Sequence, residues 1–200
     1  MSEQTIKDLK KEIYLLVHKT QEMLELTEDA FMKNKANSLD QAEDLAKEIH
    51  AKEILLTATL AKMAAANNEA RALLTAPAHI EKISTSLKRI TENIRARIKE
   101  GLLFSDKAIQ ETGTMFTRSK ELLKKAGETT VTGSATGANA VKNEADAIIS
   151  MADNFATTHE DRLVTGECSP KSSSTYLCML YAFEDIASHA KEATKKLASK

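Results

Sequence analysis

The sequence has few of the residues that interrupt helices. Its 200 residues include two prolines, six glycines and no tryptophan. Proline and glycine are the least favourable residues in a helix interior. Their scarcity, together with abundant alanine, leucine, lysine and glutamate, favours long helices over strands. We therefore predict an all-α fold.

Long apolar runs and an excess of one charge are also missing. The 28 Lys and Arg residues are balanced by 29 Asp and Glu residues, so the formal net charge is −1. This balance provides no general attraction to nucleic acid. The most apolar stretch, 54–66, is shorter than the roughly 20 residues needed to cross a bilayer and contains threonines and a lysine. We expect a cytoplasmic protein with no membrane span and no nucleic-acid partner.

Cysteine is scarce, and the residue patterns of common enzymes are missing. Cys168 and Cys178 come without a secretory leader or a multi-cysteine framework. We therefore expect both thiols to be reduced, with Cys178 partly buried. Neither cysteine has an evident catalytic base, and the glycine-containing stretch 132–137 lacks the lysine of a P-loop. Glu-x-x-His motifs in a repeated register, which a di-iron oxidase needs, are also missing. We expect no enzymatic activity.

Six long helices are predicted from apolar residues spaced three and four positions apart. Capping residues, prolines and glycines separate these stretches. The predicted boundaries are Thr5 and Asn34 for the first helix, Ser38 and Asn67 for the second, Pro77 and Gly101 for the third, Ser105 and Gly133 for the fourth, Ser134 and Gly166 for the fifth, and Pro170 and Leu197 for the sixth.

The start of the second helix carries a pattern typical of a capping box. Ser38 is followed three residues later by Gln41. In a capping box, the side chain of each of these residues accepts a hydrogen bond from the backbone N–H of the other. We predict that Ser38 caps the second helix in this way.

The two halves of the sequence resemble each other at a shift of 96 residues. This shift places Glu48 on Glu144, and it also aligns the apolar positions of the third and sixth helices. Such self-similarity is typical of a duplicated structural unit. We therefore predict two tandem three-helix repeats, residues 1–101 and 102–200.

The last helix carries the pattern that most resembles a known family. Residues 182–190, Ala-Phe-Glu-Asp-Ile-Ala-Ser-His-Ala, resemble the last helix of the PhoU-like family, in which an aliphatic residue precedes Glu-Arg-Ile-x-Asp-His-Ala. Residues 42–53 and 103–108 resemble the branch of that family that is fused to sodium/phosphate cotransporters. The order of these stretches extends the resemblance to nearly the whole chain. It implies two three-helix bundles lying side by side.

The resemblance also implies a function. PhoU-like proteins regulate phosphate transport and phosphate signalling, so the implied partner is a phosphate transporter or a sensor kinase at the cytoplasmic face of the membrane. A peripheral position on the inner face and a homodimer both remain open. A structural helical adaptor with no link to phosphate is the alternative, because a fold does not by itself specify a function.

The PhoU-like family binds metal through acidic residues one helical turn apart. Carboxylates at positions i and i+4 lie on the same face of a helix, so both reach one cation. Asp44 and Glu48 keep this spacing, whereas Lys88 and Ser188 stand where the family has acids. We therefore predict that the multinuclear metal site is lost, that no cofactor is tightly bound, and that at most a weakly bound divalent cation remains.

The residual metal candidates are carboxylates of both halves. The second and third helices are expected to bring the first-half candidates together, and the fifth and sixth helices to bring the second-half candidates together. These candidates are Asp44, Glu48, Glu92, Glu144 and Glu184.

The five histidines show no metal-binding spacing. His50 and His189 lie beside the acidic positions, whereas His18, His79 and His159 lie in no recognisable site. Zinc and iron favour sites with several nitrogen ligands. This is a second reason to expect no tightly bound zinc or iron.

Phe183 and Ile186 lie on the apolar face of the sixth helix. That face has to be covered by other helices. We predict that both side chains are buried.

Overall fold

A computed structural model describes residues 5–195, and over this range the chain is helical and contains no strand. The predicted all-α class and the six long helices are confirmed over these residues, and a seventh, short helix lies between the second and third. The predicted end of the last helix at Leu197 lies outside the described residues. The helices are α1 (Ile6–Lys33), α2 (Leu39–Ala64), α3 (Asn68–Leu73), α4 (Ala76–Glu100), α5 (Asp106–Thr132), α6 (Ala135–Val164) and α7 (Pro170–Lys195).

The short helix α3 lies between the predicted end of the second helix at Asn67 and the predicted start of the third at Pro77. Asn67 caps it, because its side-chain oxygen accepts hydrogen bonds from the backbone N–H groups of Glu69 and Ala70 at 2.9 and 3.0 Å. Asparagine is among the residues most favoured at this position. Ala70 and Leu73 are buried, so the connection contributes to the core.

Several long helices begin and end where the sequence predicts. Ser105 accepts a hydrogen bond from the backbone of Ala108 at 3.3 Å, and Ser134 accepts one from Gly137 at 3.0 Å. Gly101 ends α4 with a φ of 60°, in the left-handed region that glycine adopts without strain. Capping and termination are therefore local properties of these sequences.

The predicted capping box at Ser38 is wrong. Ser38 has φ −88° and ψ −9°, whereas a capping serine normally has an extended backbone. Its side chain makes no capping bond and instead donates a hydrogen bond to the backbone oxygen of Leu26 at 2.8 Å. The serine therefore joins α1 to the start of α2.

The helices of the two halves share one hydrophobic core. Helices α1, α2 and α4 pack together in the first half, and α5, α6 and α7 pack together in the second. Two further contacts join the halves, α1 with α5 and α4 with α7. Phe183 and Ile186 are fully buried, as predicted. The division into repeats 1–101 and 102–200 stays a prediction.

A series of aromatic contacts crosses the core from one half to the other. Phe31 lies 6.0 Å from Phe104 and 5.8 Å from Phe116, measured between ring centroids. Phe116 meets Phe183 edge-on at 4.9 Å, and Phe104 meets Tyr176 edge-on at 5.8 Å. Such tilted and edge-on arrangements are the favoured ones for aromatic pairs. The rings therefore join the two bundles.

Arg97 closes this aromatic series at the connection between the halves. Its guanidinium carbon lies 4.7 Å from the ring centre of Phe31 and 4.9 Å from that of Phe104. Its Nη1 atom donates a hydrogen bond to the backbone oxygen of Phe31 at 3.1 Å, near the end of α1. Burial lowers the pKa of Arg97. The side chain satisfies a helix-terminal carbonyl and covers two rings.

Both cysteines are free thiols, but their exposure differs from the prediction. Cys178 is exposed and Cys168 is partly buried. Cys178 lies between buried positions on α7 but on the opposite face, because Tyr176 and Met179 point into the core.

None of the helices within residues 5–195 is long and apolar enough to cross a membrane.

Candidate functional site

The first two predicted metal ligands lie on the exposed surface of α2. The side chains of Asp44 and Glu48 are 70% and 59% exposed. Asp44 accepts a hydrogen bond from Lys47 at 2.8 Å, and Glu48 pairs with Lys19 of α1. Both carboxylates therefore have a lysine beside them, as is usual for charges on a helix surface.

Glu92 and Glu144 also have basic neighbours. Glu92 lies 3.9 Å from Lys88, one turn away on α4. Glu144 accepts a hydrogen bond from Arg118 at 2.6 Å and lies 3.6 Å from Lys125, so it joins α6 to α5. The hydrogen bond from Arg118 lowers the pKa of Glu144, and Lys125 lowers it further. A cation at either carboxylate would have to compete with these neighbours.

Glu184 differs from the other four candidates. One of its carboxylate oxygens is buried without a hydrogen-bond partner. Burial raises the pKa of Glu184, and the nearby carboxylates of Asp153 and Asp185 raise it further. Asp153 lies on α6 and was not identified from the sequence, because the family spacing points to Ser188 instead. This carboxylate is the member of the predicted set whose charge is least compensated.

The predicted carboxylates do not converge into a multi-ligand site. Within residues 5–195, no group of three or more His, Cys, Asp or Glu side chains is arranged to hold a metal ion. A hard divalent cation normally takes six to eight oxygen ligands, part of them from water. Whether one of the predicted carboxylates binds such a cation weakly stays a prediction.

A buried polar cluster in the second half was not predicted. Glu111 of α5 is only 3% exposed, and its two oxygens accept hydrogen bonds from Arg162 of α6 at 3.0 and 2.7 Å. The hydroxyl of Tyr176 on α7 donates to the same carboxylate at 2.5 Å. Burial raises the pKa of Tyr176, and its hydrogen bond to Glu111 raises it further. The phenol therefore keeps its proton at neutral pH and donates a hydrogen bond to Glu111. The cluster ties three helices together.

His159 extends this polar cluster. It is 2% exposed, and its ring lies 4.8 Å from that of Tyr176. Its Nε2 atom is 2.9 Å from the hydroxyl of Ser173, whereas its Nδ1 atom has no hydrogen-bond partner. Burial lowers the pKa of His159, and the charge of Arg162 lowers it further. The ring is therefore held in its neutral form.

A small pocket opens beside this cluster. It has a volume of about 240 Å³ and is lined by residues of the α4–α5 connection, the α6–α7 turn and the start of α7. Ser105 and Cys168 face each other in its wall, with 3.8 Å between oxygen and sulfur. Both oxygens of Glu111 are already engaged in hydrogen bonds. The carboxylate of Glu111 is therefore engaged in holding α5, α6 and α7 together.

A groove with exposed apolar residues lies between the start of α1 and the end of α5. It has a volume of about 1090 Å³, and the exposed side chains of Tyr14, Leu15 and Val131 contribute to its lining. Lys10 pairs with Glu69 across its edge at 3.4 Å. Clustered exposed apolar residues rimmed by charges are typical of protein-interaction surfaces.

No family model matches the chain, and a search of curated proteins finds no match. Solved structures do match, and two of PhoU are among them. The phosphate transport system regulatory protein PhoU from Streptococcus pneumoniae matches at 13% identity with a TM-score of 0.83, over 95% of this chain and 91% of that chain. PhoU from Pseudomonas aeruginosa matches at 11% identity with a TM-score of 0.83, over 96% of this chain and 94% of that one. The chain has the fold of PhoU.

The PhoU fold was expected from the pattern of the last helix, and the expectation is confirmed. At this level of identity, the likeness to PhoU concerns the arrangement of the helices and leaves the individual residues free to differ. The resemblance to the PhoU-like branch fused to sodium/phosphate cotransporters stays a prediction. Function has to be argued from this fold together with the chain's own residues.

Proposed function

We propose that this chain is a PhoU-like regulator of phosphate transport that acts by binding another protein. The observation that carries the proposal is the likeness to PhoU over nearly the whole length of both chains. One of the two solved structures is described as a regulatory protein of a phosphate transport system.

The pairing of the charged side chains supports a function in binding another protein. Four of the five candidate carboxylates have basic neighbours, and the buried carboxylate of Glu111 is occupied by Arg162 and Tyr176. The described residues therefore favour a helical scaffold over a reactive centre. The proposed partner is a phosphate transporter or the sensor kinase that controls it, and the proposed place of contact is the cytoplasmic face of the membrane.

Phosphate uptake in the organism that encodes the chain tests this proposal. Deleting the coding sequence is expected to raise the uptake of radiolabelled phosphate in phosphate-rich medium, and the wild-type chain should restore normal uptake. A Phe183→Asp variant is the control, because it places a charge in the fully buried core and should not fold. This variant is expected to leave uptake high.

Chemical crosslinking on intact membranes, followed by mass spectrometry, identifies the partner. We expect a phosphate transporter or a sensor kinase to be crosslinked to the wild-type chain and not to Phe183→Asp. The proposal would be contradicted if uptake were unchanged in the deletion strain and neither a phosphate transporter nor a sensor kinase were crosslinked to the wild-type chain. Specific crosslinks to a protein unrelated to phosphate would instead favour the helical adaptor.

A further inference from the structure

Two histidines from different halves of the chain face each other at the contact between α4 and α7. The Nδ1 atoms of His79 and His189 are 3.3 Å apart, and their ring centres are 5.5 Å apart. Both side chains are partly exposed, so an ion from solvent has access to them. The sequence places His79 in no recognisable site because the two residues are 110 positions apart.

The separation of the two nitrogens fits a shared metal ion. The two Nδ1 atoms are within hydrogen-bonding distance, so in the metal-free chain one neutral ring donates its N–H to the other, and a metal ion would replace that proton. Zinc binds imidazole nitrogen at about 2.0–2.1 Å with tetrahedral angles, which places two such nitrogens about 3.3–3.4 Å apart. The nitrogens of His79 and His189 already stand at this distance.

Three carboxylates and their basic partners surround the histidine pair. Burial lowers the pKa of His189, and the carboxylates of Asp185, Glu192 and Glu81 are close enough to act on it, while Lys82 opposes them. A metal ion needs the neutral form of the imidazole. Asp185 is paired with Arg89, Glu192 with Lys195 and Glu81 with Lys82, so these charges are largely balanced. It is therefore the spacing of the two imidazole nitrogens that favours a metal ion.

We propose that His79 and His189 together bind one divalent transition-metal ion, with Zn²⁺ and Cu²⁺ as the expected ions. Because the described residues contain no group of three ligating side chains, water completes the coordination shell. Nitrogen ligands suit these ions better than Mg²⁺ or Ca²⁺, and Cu²⁺ should bind more tightly than Zn²⁺. The site is separate from the predicted carboxylates, since it uses imidazoles of α4 and α7.

The position of the site gives the ion a structural effect. α4 belongs to the first half and α7 to the second, so an ion held by both histidines links the halves. A ligand that binds only the folded chain stabilises it, and the free energy of unfolding rises with the logarithm of the ligand concentration once this exceeds the dissociation constant. Zn²⁺ should therefore raise the thermal unfolding temperature of the full chain.

Calorimetric titration of the full chain tests the proposal. The chain is first treated with a chelator, then titrated at neutral pH with zinc chloride and, separately, with copper sulfate. We expect one ion per chain and a raised unfolding temperature. His79→Gln and His189→Gln should each weaken binding by roughly tenfold or more, since each removes one of two ligands. His18→Gln is the matched control, because His18 is exposed on α1.

Two additions keep the result specific. The titrations are repeated in a Cys178→Ser background, because the exposed thiol is itself a zinc ligand. Electron paramagnetic resonance of the copper-loaded chain should show coupling to two nitrogen ligands, and this coupling should be lost in His189→Gln. Circular dichroism checks that each variant remains folded.

The opposing outcomes are equally distinct. Binding of equal strength in the wild type and in both histidine variants would overturn the proposal, and so would no binding to the wild type. Loss of binding in Glu48→Ala or Glu184→Ala, with no loss in His79→Gln and His189→Gln, would assign the ion to the carboxylates instead.

Discussion

Arg89 of α4 and Asp185 of α7 form an ion pair, and they lie 96 residues apart. This separation equals the shift that aligns the two halves of the sequence, so the two residues occupy matching positions if the halves are repeats. Matching positions of two similar units touch each other only close to the two-fold axis that relates the units. If the halves are repeats, their axis therefore passes between α4 and α7 near this ion pair.

The first prediction concerns the shared core. Phe183→Ala should lower the free energy of unfolding by about 3–5 kcal/mol, because it removes a fully buried ring and leaves a cavity beside Phe116. Urea unfolding followed by circular dichroism measures the change. Tyr181→Ala on the same helix is the control and should change the free energy by less than about 0.5 kcal/mol, since Tyr181 is exposed. Equal effects would show that the face of α7 is misassigned.

The second prediction concerns the buried ion pair. Arg162→Met should destabilise the fold by about 3–5 kcal/mol, because it leaves the carboxylate of Glu111 buried and without its main partner. Arg89→Met breaks the exposed pair with Asp185 and should cost about 0–1 kcal/mol. Urea midpoints of both variants provide the comparison. A small loss in Arg162→Met would mean that water reaches Glu111.

The third prediction concerns pH. Because burial lowers the pKa of His159 in the folded chain, the unfolded chain binds this proton more readily. The stability from neutral His159 is present above the ordinary histidine pKa of about 6.5 and is lost as the pH falls below it. Urea unfolding between about pH 7.5 and 5.5 should show this decline. The decline should be smaller in His159→Gln and unchanged in His18→Gln, and an unchanged slope in His159→Gln would contradict the assignment.

The fourth prediction compares two glycines. A Cβ atom at Gly137 would lie 2.7 Å from the hydroxyl oxygen of Thr129. This hydroxyl is held in place because it donates a hydrogen bond to the backbone oxygen of Lys125 at 2.7 Å. Gly137→Ala should therefore cost about 1–3 kcal/mol. Gly113 lies inside α5 with no atom within 4 Å of such a Cβ, so Gly113→Ala should stabilise the helix by up to about 1 kcal/mol. Thermal unfolding of the two variants should shift in opposite directions.

The fifth prediction concerns metal content. After purification and dialysis against a chelator, elemental analysis should find no near-stoichiometric iron or zinc, because Lys88 and Ser188 replace acids of the family pattern. The weak histidine site proposed above would lose its ion in the same treatment. Retention of iron or zinc in the wild type, and its loss in Glu48→Ala or Glu184→Ala, would show that these carboxylates hold the metal and that the prediction is wrong.

The helices could be predicted because their signals are local. Ser105, Ser134 and Gly101 cap or end helices through bonds to residues within five positions. The predicted capping box at Ser38 was wrong because the hydrogen-bond partner of Ser38, the backbone of Leu26, lies on another helix. The repeating apolar pattern likewise identified Phe183 as buried without any knowledge of what covers it.

The buried polar cluster could not be predicted for a related reason. Glu111 and Arg162 are 51 positions apart, and charged residues on helices are usually solvated. Only the packing of α5 against α6 and α7 brings them together and excludes water. His79 and His189 are still farther apart in sequence, so no spacing rule connects them. The sequence gives the identity of each residue, but which residues contact each other depends on the tertiary structure.

Phe104 lies outside the helices, in the connection between α4 and α5, yet it is buried against Phe31 of the first half and Tyr176 of the second. Phe104 therefore anchors the connection in both halves, and the connection cannot act as a free tether. Neither half could be transplanted or expressed alone without exposing an aromatic surface to water. An evolutionary insertion would be tolerated more easily in the surface turns of the chain than at this connection.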